Sequence, residues 1–243
     1  MADKKYLIPV RETITTAWHK VSGTKGSVWA GIGIIVLVGI GFAILEAITK
    51  AVPFINGLIT IINQIVVFLL QMGLLYIGIK RAAEMPITYK LMYRTYELSM
   101  TIRVILVYIL KILILLPSMI LLIISVVLNG LTTAGSIQPS GLMTTLIVIL
   151  FIIGFISLIY LSIRIALGMA FALDQEVNPW QAIKMSFAAT NENVWRLIGI
   201  YIIQLIIVII SMIPLGIGLI WTIPFILILY GTIYQRLLIN TKQ

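Results

Sequence analysis

Residues 104–128 read VILVYILKILILLPSMILLIISVVL, and Lys111 is the one charged residue among them. An α-helix rises about 1.5 Å per residue, so a helix of this stretch would be about 37 Å long. That length exceeds the roughly 30 Å of hydrocarbon in a bilayer. The stretch therefore predicts a helix that crosses a membrane.

Five other apolar runs are candidates to cross a membrane, although the fifth of the six, residues 197–213, is short for a full span. With the first stretch they predict six spans, near residues 28–48, 51–79, 104–128, 142–173, 197–213 and 217–234. Hydrophobic residues make up 61% of the 243-residue chain and charged residues 10%, whereas a soluble domain has about 25% charged residues. We therefore expect an all-α fold in which residues 1–243 form a single transmembrane domain, a polytopic bundle of about six spans.

The basic residues predict how these spans are oriented. Of the 17 Lys and Arg residues, three lie inside the runs or between them, namely Lys50, Lys111 and Arg164, and the other 14 lie on the termini or on the connections 80–103 and 174–196. Lys and Arg residues beside membrane spans are concentrated on the cytoplasmic side, so we expect both termini in the cytoplasm. Trp221, near the start of the last run, is then expected at the outer interface. The net charge is +9. Most of the basic residues that produce it flank apolar runs, so the charge does not indicate a nucleic-acid partner.

Amphipathic segments near residues 10–22, 87–100 and 179–189 predict interfacial helices on the cytoplasmic side. Residues 28–34 (VWAGIGI) and 194–200 (VWRLIGI) are identical at five of seven positions. This similarity indicates a repeated unit of interfacial helix, polar break and membrane hairpin. The Trp, Tyr and basic residues of these helices would either bind anionic headgroups or a protein partner, or only anchor the hairpins in the interface.

Two cations lie within the runs and are candidate ligand-binding residues. Lys111 and Arg164 lie at similar distances from the cytoplasmic ends of the third and fourth runs, and neither run contains an acidic residue. An intramembrane cation often binds an anionic ligand. The alternative is that both side chains extend to the headgroups. Lys90, Arg94 and Arg103, on the connection between the second and third runs, are further candidates for binding anionic lipid headgroups.

Polar side chains in the second run form another candidate site. Asn56 and Asn63 are seven residues apart and share a helix face, and Gln71, eight residues further on, is expected near that face. Such a stripe faces other helices, where it either lines a substrate path or joins the helices by hydrogen bonds. Glu46 and Lys50 have the spacing of a helical ion pair.

We find no pattern typical of an enzyme, a metal site or a cofactor site. The chain has no Cys and one His, which excludes the common zinc sites. Phosphate-binding loops, GxSxG turns and HExxH helices do not occur in the sequence. We therefore expect a protein that is not an enzyme and needs no cofactor or metal.

The repeated Val-Trp-x-x-Ile-Gly motif, and the stretch Ala170–Asp174 leading to Ala182–Phe187, resemble a group of bacterial six-helix proteins. The group comprises the YciC-type inner membrane proteins and the membrane domain found beside glycerophosphodiester phosphodiesterases. The resemblance covers most of the chain and implies a location in the bacterial inner membrane. It carries over no catalytic residues.

Two functions fit these observations. The first is a non-enzymatic membrane protein that binds lipid, a protein partner or a second copy of itself, and supports maintenance of the cell envelope. The second is a small permease or exporter subunit that moves an amphiphilic or anionic substrate. The basic, aromatic cytoplasmic segments favour the first function, and the polar stripe with Lys111 and Arg164 favours the second.

Overall fold

The computed structural model describes residues 6–135 and 140–241, and within these ranges the protein is all-α, with no β-strand. The α-helices are α1 (Val10–His19), α2 (Lys25–Thr49), α3 (Pro53–Ala82), α4 (Leu98–Thr133), α5 (Gly141–Arg164), α6 (Gly168–Asp174), α7 (Pro179–Thr190), α8 (Val194–Met212) and α9 (Leu219–Leu237). Two short 3₁₀ segments, Tyr89–Tyr96 and Leu238–Thr241, complete the described structure. The expected all-α fold is confirmed.

Six helices are long and apolar enough to cross a membrane, namely α2, α3, α4, α5 continued by α6, α8 and α9. In all but α9, at most 22% of the most apolar 18 residues are buried inside the protein. Their outward faces carry large apolar side chains that water would not solvate. These helices are therefore solvated by lipid, and the chain is a multi-pass membrane protein.

The segment expected as an interfacial helix near residues 87–100 is not one α-helix. Residues 89–96 form a 3₁₀ segment, and α4 begins at Leu98. The backbone of Met92 lies so close to α3 that a Cβ atom on Gly73 would be 2.1 Å from its carbonyl oxygen. Side chains three apart align in a 3₁₀ helix, which lets Met92 and Thr95 both be buried against α3. The tight packing on Gly73 explains the narrower helix.

The fourth apolar run, expected as one span over residues 142–173, is interrupted. Helix α5 ends at Arg164, and α6 begins at Gly168. Ser186 of α7 holds the turn, because its hydroxyl donates to the Arg164 carbonyl (2.7 Å) and accepts from the Leu167 amide (3.1 Å). A side chain from another helix thus replaces the hydrogen bonds that a continuous helix would have made.

The charged segments of the chain gather at one end of the molecule, which we call the charged end (residues 6–24, 80–97, 174–193 and 236–241). Ion pairs join them across long sequence distances: Lys20 with Glu84 (3.2 Å), Lys80 with Asp174 (2.8 Å), Arg236 with Glu12 (2.8 Å), and Arg94 with Glu176. The termini that the structure describes and both charged connections therefore share one end, as their charge pattern predicts.

Helix α9 packs against α2 and α3. It passes α3 at Gly78 and Gly231, where a Cβ atom on Gly231 would lie 2.7 Å from the Gly78 carbonyl oxygen. Its first turn lies beside the first turns of α2, because the Trp29 indole donates to the Ile220 carbonyl (3.1 Å) and the Lys25 ammonium lies 4.5 Å from the Trp221 ring centre. The expectation that Trp221 lies at the outer interface, opposite to Lys25, is wrong, because its ring lies beside the Lys25 ammonium.

Substituting Gly231 with Ala tests this contact. The added methyl group would collide with α3, so we expect Gly231→Ala to lower the free energy of unfolding by about 1–3 kcal/mol. The measurement is denaturant unfolding of the purified protein in mild detergent. Gly41→Ala in α2 is the matched control, because its Cβ would meet no atom within 4 Å. Equal stability of the two variants would contradict the close contact between Gly78 and Gly231.

Candidate functional site

A groove of about 600 Å³ lies between α5 and α8. Its walls are apolar and aromatic and comprise Phe155, Ile156, Ile159, Tyr160, Val194, Trp195 and Ile198. Arg164, Asn191 and Glu192 are the polar residues that line it. The volume falls in the range of small-molecule sites, about 300–1,000 Å³.

The polar residues cluster at one end of this groove. Phe155 and Arg164 are nine residues apart on α5, which corresponds to about 13 Å of helix. Arg164 is the last residue of α5, and Asn191 and Glu192 form the link between α7 and α8. The groove is thus apolar along two membrane helices and charged at one end, which we call its mouth. A lipid molecule likewise has an apolar tail and a charged headgroup.

Arg164 has an unused hydrogen-bond donor. Its Nη1 donates to Oδ1 of Asn191 (3.2 Å), and its guanidinium lies 5.1 Å and 5.9 Å from the ring centres of Phe187 and Tyr160. Its Nε is buried without a partner in the part of the chain that the structure describes. An unpaired buried donor is costly, particularly on a charged group. The donor that an anion in the groove could reach is Nη2, which makes no hydrogen bond to another described residue and is not among the buried unpaired atoms.

The backbone around Arg164 is firmly held. Its carbonyl accepts from Ser186, and the Ser186 carbonyl in turn accepts from the Thr190 hydroxyl (2.8 Å). Two residues further on, the Ala166 carbonyl accepts from the Tyr230 hydroxyl of α9 (2.9 Å). Helices α7 and α9 therefore fix the end of α5 and, with it, the position of the guanidinium.

The link between α7 and α8 is fixed by the N-terminal segment. The buried Asn193 accepts from the Ile8 amide (2.8 Å) and donates to the Tyr6 carbonyl (2.9 Å) and to the Asn191 carbonyl (3.2 Å). Glu192, between Asn191 and Asn193, has a φ of 64°, in the left-handed region that favours glycine. These contacts place an exposed carboxylate at the mouth of the groove.

Lys111 lies level with Arg164 but does not line the groove. The hydroxyls of Ser118 on α4 and Ser157 on α5 are hydrogen bonded at 2.9 Å. Lys111 and Arg164 are each seven residues from that bond, towards the charged end, so the two antiparallel helices carry them at the same level. The residues that the structure describes give neither cation an acidic partner.

The candidates Lys90, Arg94 and Arg103 have different surroundings. Arg94 donates to the Tyr76 hydroxyl (2.6 Å) and pairs with Glu176, whose other oxygen is 3.8 Å from Arg103. Lys90 is exposed and makes no ion pair within the described ranges. The arginines thus have protein partners, and Lys90 is the member of the set that is open to headgroups.

The polar residues of α3 divide between two faces. The Asn56 amide donates to the Glu46 carbonyl (2.8 Å), and the Asn63 amide donates to the Glu46 carboxylate (3.3 Å). These contacts join α2 to α3, and they use Glu46 in place of the expected pair with Lys50. The expectation that Gln71 lies near the same face is wrong, because eight residues advance a helix by about 80° beyond two turns. Gln71 is exposed, like Gln64 seven residues before it.

Arg164 was predicted as a site residue from the sequence, whereas Asn191, Glu192 and Trp195 at the groove mouth were not. Asn191 and Glu192 belong to the polar break after the third interfacial helix, and Trp195 belongs to the repeated motif. These signals indicate a surface connection. They do not indicate that the connection meets the end of α5, because that contact depends on the turn after Arg164.

The different surroundings of Lys90 and Arg94 give a testable prediction. We expect Lys90→Gln to reduce retention of anionic lipid with no change in stability. Arg94→Gln breaks the contacts with Tyr76 and Glu176, so we expect it to lower the free energy of unfolding by about 1–2 kcal/mol. Lipid retention is measured by native mass spectrometry and stability by denaturant unfolding. Equal loss of lipid in the two variants, with unchanged stability, would show that Arg94 serves headgroups.

Comparison of the chain with protein-family models, with curated proteins and with solved structures returned no match. The resemblance to the YciC-type proteins therefore stays a prediction. What the protein does is inferred from its own residues and their geometry.

Proposed function

We propose that this protein is a non-enzymatic, multi-pass protein of the bacterial inner membrane that binds a phospholipid and supports maintenance of the envelope. In this proposal the α5–α8 groove holds an acyl chain, and Arg164 holds the phosphate. The observation that carries the proposal is the groove itself, which is apolar along about 13 Å of helix and ends at an incompletely paired arginine.

The chemistry of Arg164 suits a phosphate. A guanidinium is always charged and presents donors in a planar fork, so it binds phosphate oxygens with two or more charge-assisted hydrogen bonds. Nη1 is already committed to Asn191, which fixes the fork, and Nη2, which makes no hydrogen bond to another described residue and is not among the buried unpaired atoms, remains available. The rings of Phe187 and Tyr160 keep water from two sides of the group, which strengthens its attraction for an anion.

The apolar part of the groove suits an acyl chain. Its length of about 13 Å approaches the roughly 15 Å depth of one leaflet's hydrocarbon. Trp195, on the first turn of α8 beside the mouth, is 83% exposed, and indoles favour the headgroup level of a bilayer. A lipid bound here would lie with its tail along α5 and α8 and its headgroup at the charged end.

The orientation in this proposal rests on charge. The 14 basic residues outside the runs lie on the termini and the two charged connections, and the described parts of these segments meet at one end of the molecule. The positive-inside rule then favours cytoplasmic termini. The proposed inner membrane location rests on the resemblance to the YciC-type proteins.

A permease or exporter subunit is the alternative function, and a separate observation favours it. Gln64 and Gln71 lie seven residues apart on one exposed face of α3, within the span, and neither makes a hydrogen bond to another described residue. Exposed amides at membrane depth need a polar partner, since lipid offers none. A polar substrate passing along α3 would supply one, and so would a second copy of the protein.

Substituting Arg164 with Gln tests the lipid-binding proposal. The variant loses the charge that would hold the phosphate, so we expect the amount of co-purified phospholipid to fall about tenfold or more. Native mass spectrometry of the protein in mild detergent measures this amount. Lys184→Gln is the control, because Lys184 is an exposed cation on α7 outside the groove.

A second variant separates lipid loss from misfolding. Ile159→Trp fills the groove while Arg164 keeps its contacts, and we expect the same loss of lipid from a protein with wild-type stability. Unchanged lipid occupancy in both Arg164→Gln and Ile159→Trp would contradict the proposal.

A further inference from the structure

Glutamate occupies an unusual backbone position three times in this protein. Glu84, Glu176 and Glu192 have φ values of 63°, 53° and 64°. Each is the second residue after a helix, following α3, α6 and α7. Glycine is the usual residue at this position, because a Cβ atom makes the left-handed conformation unfavourable. The carboxylates at these three sites therefore sit where the backbone does not favour them.

Protein cations balance two of these carboxylates. Glu84 pairs with Lys20 at 3.2 Å, and Glu176 pairs with Arg94 and Arg103. Glu192 lines the α5–α8 groove and has no cation within 4.0 Å among residues 6–135 and 140–241. The groove therefore contains a positive and a negative group that are not paired with each other.

Arg164 and Glu192 nevertheless line the same groove. Asn191, which binds the Arg164 guanidinium at 3.2 Å, is the residue before Glu192, and consecutive Cα atoms are about 3.8 Å apart. A ligand with a phosphate on Arg164 would have its next few atoms beside the Glu192 carboxylate. A group placed there is stabilised if it is cationic and repelled if it is anionic.

We infer that the lipid bound in this groove is zwitterionic and carries a primary ammonium next to its phosphate, as in phosphatidylethanolamine. The inference rests on the proposed lipid-binding function and specifies its headgroup. A primary ammonium has three N–H donors and can hydrogen bond to Glu192 directly. The exposed ring of Trp195 at the same mouth offers a face for the same cation. A phosphoglycerol headgroup would place hydroxyls there and gain no ion pair.

Competition between two lipids tests this inference. The protein is purified into detergent micelles that contain equal amounts of phosphatidylethanolamine and phosphatidylglycerol with the same acyl chains, and native mass spectrometry counts each bound lipid. We expect the wild-type protein to retain about tenfold more phosphatidylethanolamine. We expect Glu192→Gln to abolish this preference while total lipid occupancy remains, because Arg164 and the apolar walls are unchanged.

Two further variants keep the test specific. Glu192→Asp retains the carboxylate and is expected to retain the preference, at least in part. Glu97→Gln removes an exposed acid elsewhere at the start of α4 and is expected to have no effect on either lipid.

The outcomes distinguish this inference from the proposal on which it rests. Equal retention of both lipids by the wild type, with retention lost in Ile159→Trp, would overturn the headgroup assignment and leave the groove as a lipid site. A preference that persists in Glu192→Gln would do the same. Lipid retention that is indifferent to Ile159→Trp would overturn both.

Discussion

The ion pair between Lys80 and Asp174 is the interaction on which the arrangement of the helices depends. Nζ and Oδ1 are 2.8 Å apart, and the two side chains are 17% and 11% exposed. The second oxygen of Asp174 accepts from the Tyr234 hydroxyl at 2.8 Å. The carboxylate thus joins α3, α6 and α9 at one point. Removing one member of such a pair leaves a buried charge without a partner, which is strongly destabilising.

Polar contacts at the charged end hold the helices together, because packing of the remaining apolar helix surfaces contributes little to their association. Lipid solvates apolar side chains as well as another helix does, so membrane helices gain little from apolar burial alone. Contacts of small residues and hydrogen bonds hold them instead, as at Gly78 with Gly231 and at Ser118 with Ser157. The groove between α5 and α8 follows from the same arrangement, since α5 is fixed at its Arg164 end by α7 and α9.

The sequence allowed much of the fold to be predicted, and the structure shows why the rest could not be. Six runs are recognisable because hydropathy and length are local properties. The interruption after Arg164 depends on Ser186, 22 residues away, and the close packing of α9 on α3 depends on Gly78 and Gly231, which are distant in sequence. The role inferred for Glu192 likewise depends on a contact between Asn191 and Arg164, to which no local pattern points.

In the proposed orientation the charged end faces the cytoplasm, and the opposite end, near Thr133, faces outward. Because the chain contains no cysteine, single cysteines can be introduced and labelled without background. Lys90→Cys and Thr133→Cys place a thiol at exposed positions at the two ends. A membrane-impermeant maleimide added to intact spheroplasts is predicted to label Thr133→Cys at once and Lys90→Cys only after permeabilisation. Labelling of both positions from the same side, or labelling of Lys90→Cys alone, would contradict the account.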